Sequence, residues 1–270
     1  MSFNPRMCPL RPVPAEPPEP SRSRPLSRWT AQAFGPSFDL VYPDRGAAAA
    51  ELEVAALLAW PELDPTPGRV IDLSCGRGRH VEALVRRGRT ALGLDLSSAR
   101  LAAADRGSGS GAKRLVRADR RSCPCIERAF DLALLLFQSL GYGARGEDEC
   151  ALGEARRVLR PGGWLVLELL DAERVRRDLV PRSESVRDGV QVVARRRLTG
   201  GGSHVVKRVR VQHSDGAEER WTERVRLDSR AVHERHLIAA GFEPLGAFGG
   251  VDRSAHRPGA GALWLLARRT

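Results

Sequence analysis

Apolar and polar positions settle into a strand–helix alternation from Arg69 onward. RVIDL (Arg69–Leu73) is a short β-branched run that stops at a glycine-containing turn, and HVEALVRRG (His80–Gly88) spaces its apolar residues as a helix does. TALGLDL (Thr90–Leu96) reads as a second strand, and SSARLAAADR as a second helix with Ser97 at its N-cap. KRLVRAD (Lys113–Asp119) supplies a third strand. FDLALLLF (Phe130–Phe137) is apolar without alternation, the pattern of a strand covered on both faces. CALGEARRVL (Cys150–Leu159) is a helix broken by Pro161, Gly162 and Gly163, and WLVLELLD (Trp164–Asp171) is a fifth strand. This order predicts an α/β fold with a doubly wound, mostly parallel sheet and helices on both sides.

The period then shortens to two. VQVVARRRL, HVVKRVRVQH and ERWTERVRL alternate over Val190–Asp228, with turns at Gly200–Gly202 and Ser214–Gly216. They predict an antiparallel β-meander, an insertion over residues 184–228 after the fifth strand. The core, 61–183 and 229–270, resumes its parallel pattern with a helix in SRAVHERHLIAAG and strands in FEPLGAFGG and GALWLLARR, which bring the sheet to seven strands. Residues 1–26 are rich in Pro, Arg and Ser and are expected to be disordered. Residues 27–60 form an N-terminal helical segment. It comprises SRWTAQAF with Trp29 and Phe34, then FDLVYPDR, then a helix over Ala47–Trp60 ended by Pro61, Pro65 and Pro67.

A chain of 270 residues suffices for one such domain with an insertion. No stretch approaches the ~20 apolar residues of a membrane span, and no apolar run follows the first charges as in a signal peptide. A cytoplasmic protein is expected. The net charge of +11 is almost all arginine, the lysines being Lys113 and Lys207. A basic balance suits nucleic acid, but the arginines are scattered along the chain and accompany abundant Ala, Gly and Pro, so a nucleic-acid partner is not expected. Cys8, Cys75, Cys123, Cys125 and Cys150 make an odd count, against a disulfide framework. Cys123 and Cys125 have no second Cys or His pair at zinc spacing, so no metal is expected.

The chemistry concentrates in the turn Asp72-Leu-Ser-Cys-Gly-Arg-Gly-Arg-His80. Gly76 and Gly78 let the backbone approach a ligand where a Cβ would clash, and the helix that follows offers free N–H groups. Asp95 ends the second strand about 20 residues on, the usual place of a carboxylate gripping ribose hydroxyls. Any adenosine-bearing cofactor suits this geometry. A dinucleotide site wants a third glycine, but Arg79 and His80 hold that region and Ser74 stands where a first glycine could be. Asp72 would repel a pyrophosphate but can organise a loop facing a zwitterionic amino acid. No Gly-Lys-Ser/Thr exists, which excludes a P-loop.

DLSCGRGRH followed by GLDLS resembles motif I and the acidic loop of the class I S-adenosylmethionine-dependent methyltransferases. ADR (Ala118–Arg120) is similar to their third-strand loop. LFQSLGY (Leu136–Tyr142) and RVLRPGGWLVLEL (Arg157–Leu169) resemble their fourth-strand end and the turn after the next helix. The resemblance runs from about Phe38 to the C-terminus. With the inserted sheet it is similar to deoxysugar N-methyltransferases of natural-product pathways. It implies a Rossmann-like fold, S-adenosylmethionine as cofactor, and methyl transfer to N or O of a small molecule in secondary metabolism. It also implies cofactor contacts from Asp72, Ser74, Cys75, Gly76, Gly78 and His80 in the turn. Asp95 and Leu96 would meet the ribose; Ala118, Asp119 and Arg120 the adenine; Phe137 and Gln138 would follow strand four. Tyr42 and Arg45 would belong to a lid closing over the cofactor.

Methyl transfer is an in-line displacement, and positioning can supply much of its catalysis; a general base helps when the acceptor carries a proton. The acceptor pocket is expected beyond strands four and five, among Gln138, Ser139, Tyr142, Glu168 and Asp171. Glu168 stands out, because a carboxylate in an apolar strand costs energy unless used or paired. Tyr142 and, on the insertion, His213 are the other catalytic candidates. His233 and His236 share a helix face without a third metal ligand. Enzymes that methylate base amino groups often carry Asn/Asp-Pro-Pro-Tyr/Phe where this chain has Phe137-Gln-Ser-Leu140. A nucleic-acid methyltransferase and a cofactor-binding protein without turnover remain the alternatives. The insertion is expected to build the acceptor pocket or a homodimer interface rather than the cofactor site.

Overall fold

A computed structural model describes residues 32–63, 68–104, 114–259 and 261–270. The expected disordered tail (1–26), the start of the SRWTAQAF helix with Trp29, the helix-ending Pro65 and Pro67, and Lys113 of the third strand lie outside the described residues.

The first sheet has seven strands: β1 (Arg69–Asp72), β2 (Thr90–Asp95), β3 (Leu115–Arg117), β4 (Phe130–Leu135), β5 (Leu159–Leu170), β10 (Phe242–Phe248) and β11 (Ala262–Arg269). Their spatial order is β10-β11-β5-β4-β1-β2-β3. Pairing is parallel from β3 through β5. The expected parallel resumption fails at β11, which runs antiparallel to both β5 and β10. The connection from β10 to β11 carries no helix among its described residues to cross over the sheet, and apolar pattern alone does not record strand direction.

Alternate residues of the central strands feed two cores. Val70, Leu132, Leu134, Val166 and Trp264 face one side and pack with Val54, Leu57 and Trp60. Ile71, Ala133, Leu135, Leu165 and Leu167 face the other and pack with Leu152, Ala155 and Leu237. That double coverage is why β4 and β5 read as unbroken apolar runs. The helices are α1 (Phe38–Val41), α2 (Ala47–Leu58), α3 (Arg79–Arg86), α4 (Ser98–Ala104), α5 (Arg145–Val158), α6 (Ala172–Arg177) and α7 (Arg230–Ala239). Trp60, just beyond α2, is fixed by Nε1 donating to the Val251 carbonyl at 2.7 Å and by edge contacts with Phe248 and Trp264. No helix among the described residues is long and apolar enough to cross a membrane.

The insertion forms a second, antiparallel sheet in the order β6-β7-β8-β9. Its strands are β6 (Arg182–Arg187), β7 (Val190–Thr199), β8 (His204–Gln212) and β9 (Glu218–Arg226). It thus has four strands, one more than its alternation predicts. β6, Arg-Ser-Glu-Ser-Val-Arg, is exposed throughout and has no buried face to write a pattern.

Candidate functional site

The chain order switches direction across the sheet between β1 and β4, and there the strand ends leave a crevice, as open α/β sheets do. A cavity of about 720 Å³ fills it. Its floor is the turn after β1. Asp72, only 1% exposed, accepts a hydrogen bond from the Ser74 N–H at 3.1 Å and so bends the chain. Its other oxygen, Oδ2, has no hydrogen-bond partner among the described residues and lies 3.7 Å from His80 Nδ1. Gly76 has φ 58°, and a Cβ there would meet no atom nearer than 3.8 Å, so the glycine leaves open space. Gly78 has φ 80°, and a Cβ would come within 2.8 Å of Leu115, so here glycine serves the close packing of turn on strand.

Asp95 crosses from β2 to this turn. One oxygen accepts from the Gly76 N–H and the other from the Ser97 N–H, both at 2.8 Å. Burial raises its carboxyl above the usual range against the pull of these two N–H groups. Ser97 caps α4 through the Arg100 N–H (3.1 Å) while its hydroxyl donates to the Phe34 carbonyl at 2.7 Å. Asp119 lines the next wall with Arg121 against both its oxygens. Burial would raise its carboxyl, but Arg121 outweighs burial and holds it low.

Phe137 and Gln138, after β4, have φ 55° and 52°. Two successive non-glycine residues in the left-handed region carry strain that other contacts must hold. The Phe137 N–H donates to Glu168 Oε2 and the Gln138 N–H to the Glu168 carbonyl, each at 2.9 Å. The Gln138 side chain bridges the Leu140 carbonyl and the Leu170 N–H. The strained turn is thereby bolted to the end of β5.

Residues 32–45 roof the cavity. Phe34, Phe38 and Arg45 line it, with Phe137 and Tyr142 opposite. Phe34 meets Tyr142 edge-on at 5.6 Å, and Tyr42 meets Phe137 at 5.1 Å. Arg45 lies over the Phe137 ring at 4.4 Å and pairs with Glu53 and Glu168, each at 3.1 Å. Glu53, on α2, also holds Arg79 (2.8 Å) and His80 (2.7 Å). Burial would raise the Glu53 carboxyl, but His80, Arg79 and Arg45 bring it down to about 2. Burial would lower His80, but Asp72 and Glu53 outweigh it and raise it. On the core side the roof is held by Asp39, which pairs with Arg100 at 3.0 Å and Arg77 at 3.5 Å.

The inserted sheet backs this roof. Val192, Val209, Val211 and Trp221 pack against Ala33, Phe34, Leu40 and Val41. Ser37 donates to Glu219. Lys207 donates to the Tyr42 hydroxyl at 2.6 Å, which donates to Glu223 at 3.0 Å, and Trp221 Nε1 donates to the same carboxylate at 2.9 Å. Burial lowers Lys207 to about 8, against the attraction of Glu223. No residue of the insertion lines the 720 Å³ cavity.

The structure brings Ser74, Cys75, Gly76, His80, Asp95 and Leu96 to the cavity wall, and with them Ala118, Asp119, Arg120, Phe137, Gln138 and Arg45. Asp72, Gly78 and Tyr42 stand behind that wall. Of the three catalytic candidates Tyr142 lines the cavity; burial raises its phenol, so it stays protonated at neutral pH. Glu168 is committed to Arg45 and Phe137, and His213 is 2.8 Å from Glu219 on the inserted sheet. Asp171 caps α6 and pairs with His256 at 2.7 Å. Sequence reasoning missed Phe38, Arg100 and Glu53. An acid on an otherwise apolar helix face is the one signal that could have pointed to Glu53.

The cradle suits an adenosine-bearing cofactor with an amino-acid tail. It offers the open space at Gly76, the Asp95 carboxylate beside it, and an unpartnered Asp72 oxygen behind the turn. Residues 70–163 match the family described as "Methyltransferase domain". Over 149 residues the chain is 30% identical to malonyl-[acyl-carrier protein] O-methyltransferase of Methylococcus capsulatus, covering 54% of this chain and 53% of that protein. The chain spans about half the length of the curated relatives it matches. Among solved structures it is similar to the sugar N-methyltransferase KedS8 from a Streptoalloteichus species, with 25% identity and a TM-score of 0.65, covering 86% of this chain and 93% of that one. The CcbJ methyltransferase from Streptomyces caelestis superposes with a TM-score of 0.70 at 18% identity, covering 89% of this chain and 99% of that one. The chain shares its fold with these methyltransferases over most of its length, and residues 70–163, from β1 to the Pro-Gly-Gly turn, are similar to the methyltransferase-domain family.

Proposed function

We propose that this chain is an S-adenosylmethionine-dependent methyltransferase that methylates a nitrogen or oxygen of a small molecule, acting in the cytoplasm as part of secondary metabolism. One arrangement carries the reading. Asp95 reaches from β2 to the Gly76 N–H at the floor of a roofed cavity, and that floor is the glycine turn of a methyltransferase domain. The sugar N-methyltransferase neighbour, which keeps the same architecture over most of its length, supports the choice of a small acceptor.

When bound, S-adenosylmethionine supplies a methyl group on a sulfonium, electrophilic without further activation. Asp95 would hold the ribose hydroxyls, and Ala118 and Asp119 the adenine edge. Asp72 and His80 shape the turn beneath the amino-acid tail. Phe34, Phe38 and Phe137 exclude water from the reacting space, which strengthens the positioning on which an in-line displacement depends. Tyr142, protonated at neutral pH, is a hydrogen-bond donor that orients the acceptor rather than a base. Glu168 acts through Arg45 and Phe137 as a positioning residue. We assign the insertion the task of backing the roof. Its edge strand β6 carries Arg182, Glu184 and Arg187, charges that discourage edge pairing with a second copy. Phe137-Gln138-Ser139-Leu140 lacks the proline box expected for base methylation, which argues against nucleic acid as acceptor.

Isothermal titration with S-adenosylhomocysteine and with NAD tests the cofactor. Tight binding of the first and none of the second is expected, and the reverse overturns the assignment. Transfer from a radiolabelled methyl donor to a panel of amino sugars, phenols and tRNA then tests turnover. Label on tRNA alone would replace the small-molecule reading, and cofactor binding without label on any metabolite extract would leave a binding protein.

A further inference from the structure

Six arginines of the inserted strands are gathered onto one surface. In β7, β8 and β9 the residues alternate between the face that packs on the roof and the face that looks outward. Arg195 and Arg197 of β7, Arg208 and Arg210 of β8, and Arg220 and Arg224 of β9 all share the outward face. Within β7, β8 and β9 two like-charged pairs stand directly opposite each other, Arg195 with Arg208 and Arg210 with Arg220, and Arg182 of β6 faces Arg195 from the other side. Such pairs destabilise a sheet unless something neutralises them. Glu218 does so for the second pair, reaching Arg220 with one oxygen and lying 3.6 Å from Arg210 with the other. Nothing among the described residues does so for the first. Arg197 and Arg224, which flank Val206 in the same register, also have no hydrogen-bond or ion-pair partner there. Val193 and Val206 point outward with them, yet are only 6% and 8% exposed, covered by the arginine stems. The result is a shallow cavity of about 670 Å³ with an apolar floor and a cationic rim.

We propose that this face docks a carboxylate-rich segment of a partner protein, gripped by Arg195, Arg197, Arg208 and Arg224. Guanidinium forks match carboxylates in geometry and charge, and the valine floor accepts the aliphatic part of such a segment. A second copy of a chain with net charge +11 is a poor occupant. Single-stranded nucleic acid binds through aromatic stacking platforms, whereas Trp221, the aromatic of these strands, points inward to the roof. Glu184, opposite Val193, and Glu218, opposite Gln212, interrupt the cationic surface at one end of the sheet. The face shares no lining residue with the 720 Å³ cavity, so the proposal stands apart from the reading of the cofactor site.

The test is fluorescence anisotropy of the full chain with a labelled Glu-rich helical peptide at about 150 mM salt, where exposed charges beyond ~8 Å are screened. A Gln-for-Glu peptide of equal length is the reference. The double variants Arg195→Glu/Arg208→Glu and Arg195→Gln/Arg208→Gln are compared with Arg257→Gln, an exposed arginine off the sheet. Far-UV circular dichroism and the urea midpoint of each variant report that it is folded. The expected result is saturable binding of the acidic peptide, weakened at least ~10-fold in both double variants and unchanged in Arg257→Gln. Equal binding of the Gln peptide, or double variants that bind as the parent does, overturns the proposal. Displacement of the peptide by single-stranded RNA through the same arginines also overturns it, and reassigns the face to nucleic acid.

Discussion

Arg45 and Glu168 form a 3.1 Å ion pair that ties the roof of the cavity to the end of β5, 123 residues away in the chain. The same carboxylate takes the Phe137 N–H, so one side chain fixes both the roof and the strained turn opposite it. Glu168→Gln keeps an acceptor for Phe137 but removes the charge that holds Arg45. The expected outcome is a roughly 3- to 10-fold weaker S-adenosylhomocysteine affinity, consistent with a partly exposed pair worth about 1 kcal/mol, with kcat within a few-fold. If Glu168 were instead a general base, kcat would fall by about 10²–10⁴ with affinity kept. Calorimetry beside steady-state kinetics separates the two.

Asp95→Ala removes the acceptor of the Gly76 and Ser97 N–H groups together with the proposed ribose grip. Hydrogen bonds to a charged group contribute about 1.5–3 kcal/mol each, so cofactor affinity should fall by roughly 10-fold to 100-fold or more. Unchanged affinity in this variant would place the ribose elsewhere.

Glu53 and His80 give stability a pH window. The Glu53 carboxyl is held near 2 against an ordinary 4.5, so its contribution is complete above pH 4.5 and is lost as pH falls toward 2. His80 is raised above its ordinary 6.5, so its contribution is complete below pH 6.5 and is lost as pH rises through the folded value. Both are in force between those limits. Urea midpoints of the parent and of Glu53→Gln, measured from pH 3 to 9, should differ most between pH 4.5 and 6.5. A constant difference across the range would show that the pair does not titrate with folding.

Lys207 carries the opposite sign. Burial lowers it to about 8 from an ordinary 10.5, so between these values the unfolded chain binds more protons and stability rises with pH. Lys207→Met should flatten that rise. Parallel curves for parent and variant would mean that the lysine is hydrated in the folded protein.

Much of the candidate site was legible because it is local. Asp72, Gly76 and Gly78 sit within one turn, and Asp95 follows at the end of the next strand, so spacing alone brings them together. What escaped depends on register and on distant pairing. Tyr42, Lys207 and Glu223 are joined only once β8 and β9 are aligned beneath the roof. The outward face of arginines follows from the Arg–Val alternation of strands such as Val206-Lys-Arg-Val-Arg-Val211, whereas which arginines oppose each other needs the same alignment. β6 has no apolar face to announce it, and the direction of β11 is set by its connection rather than by its composition. The strain at Phe137 and Gln138 has no sequence mark, since neither residue type favours the left-handed region.

The roof over residues 32–45 is sandwiched, aromatic on its cavity side and aliphatic on the side that meets Val192, Val209 and Trp221. Exchanging the insertion alone therefore disturbs the roof as well. A chimera carrying a foreign sheet under this roof would mismatch Ser37 with Glu219 and Tyr42 with Lys207 and Glu223 at once. The unit that would have to move together is discontinuous: fourteen residues ahead of the core and the sheet more than a hundred positions later.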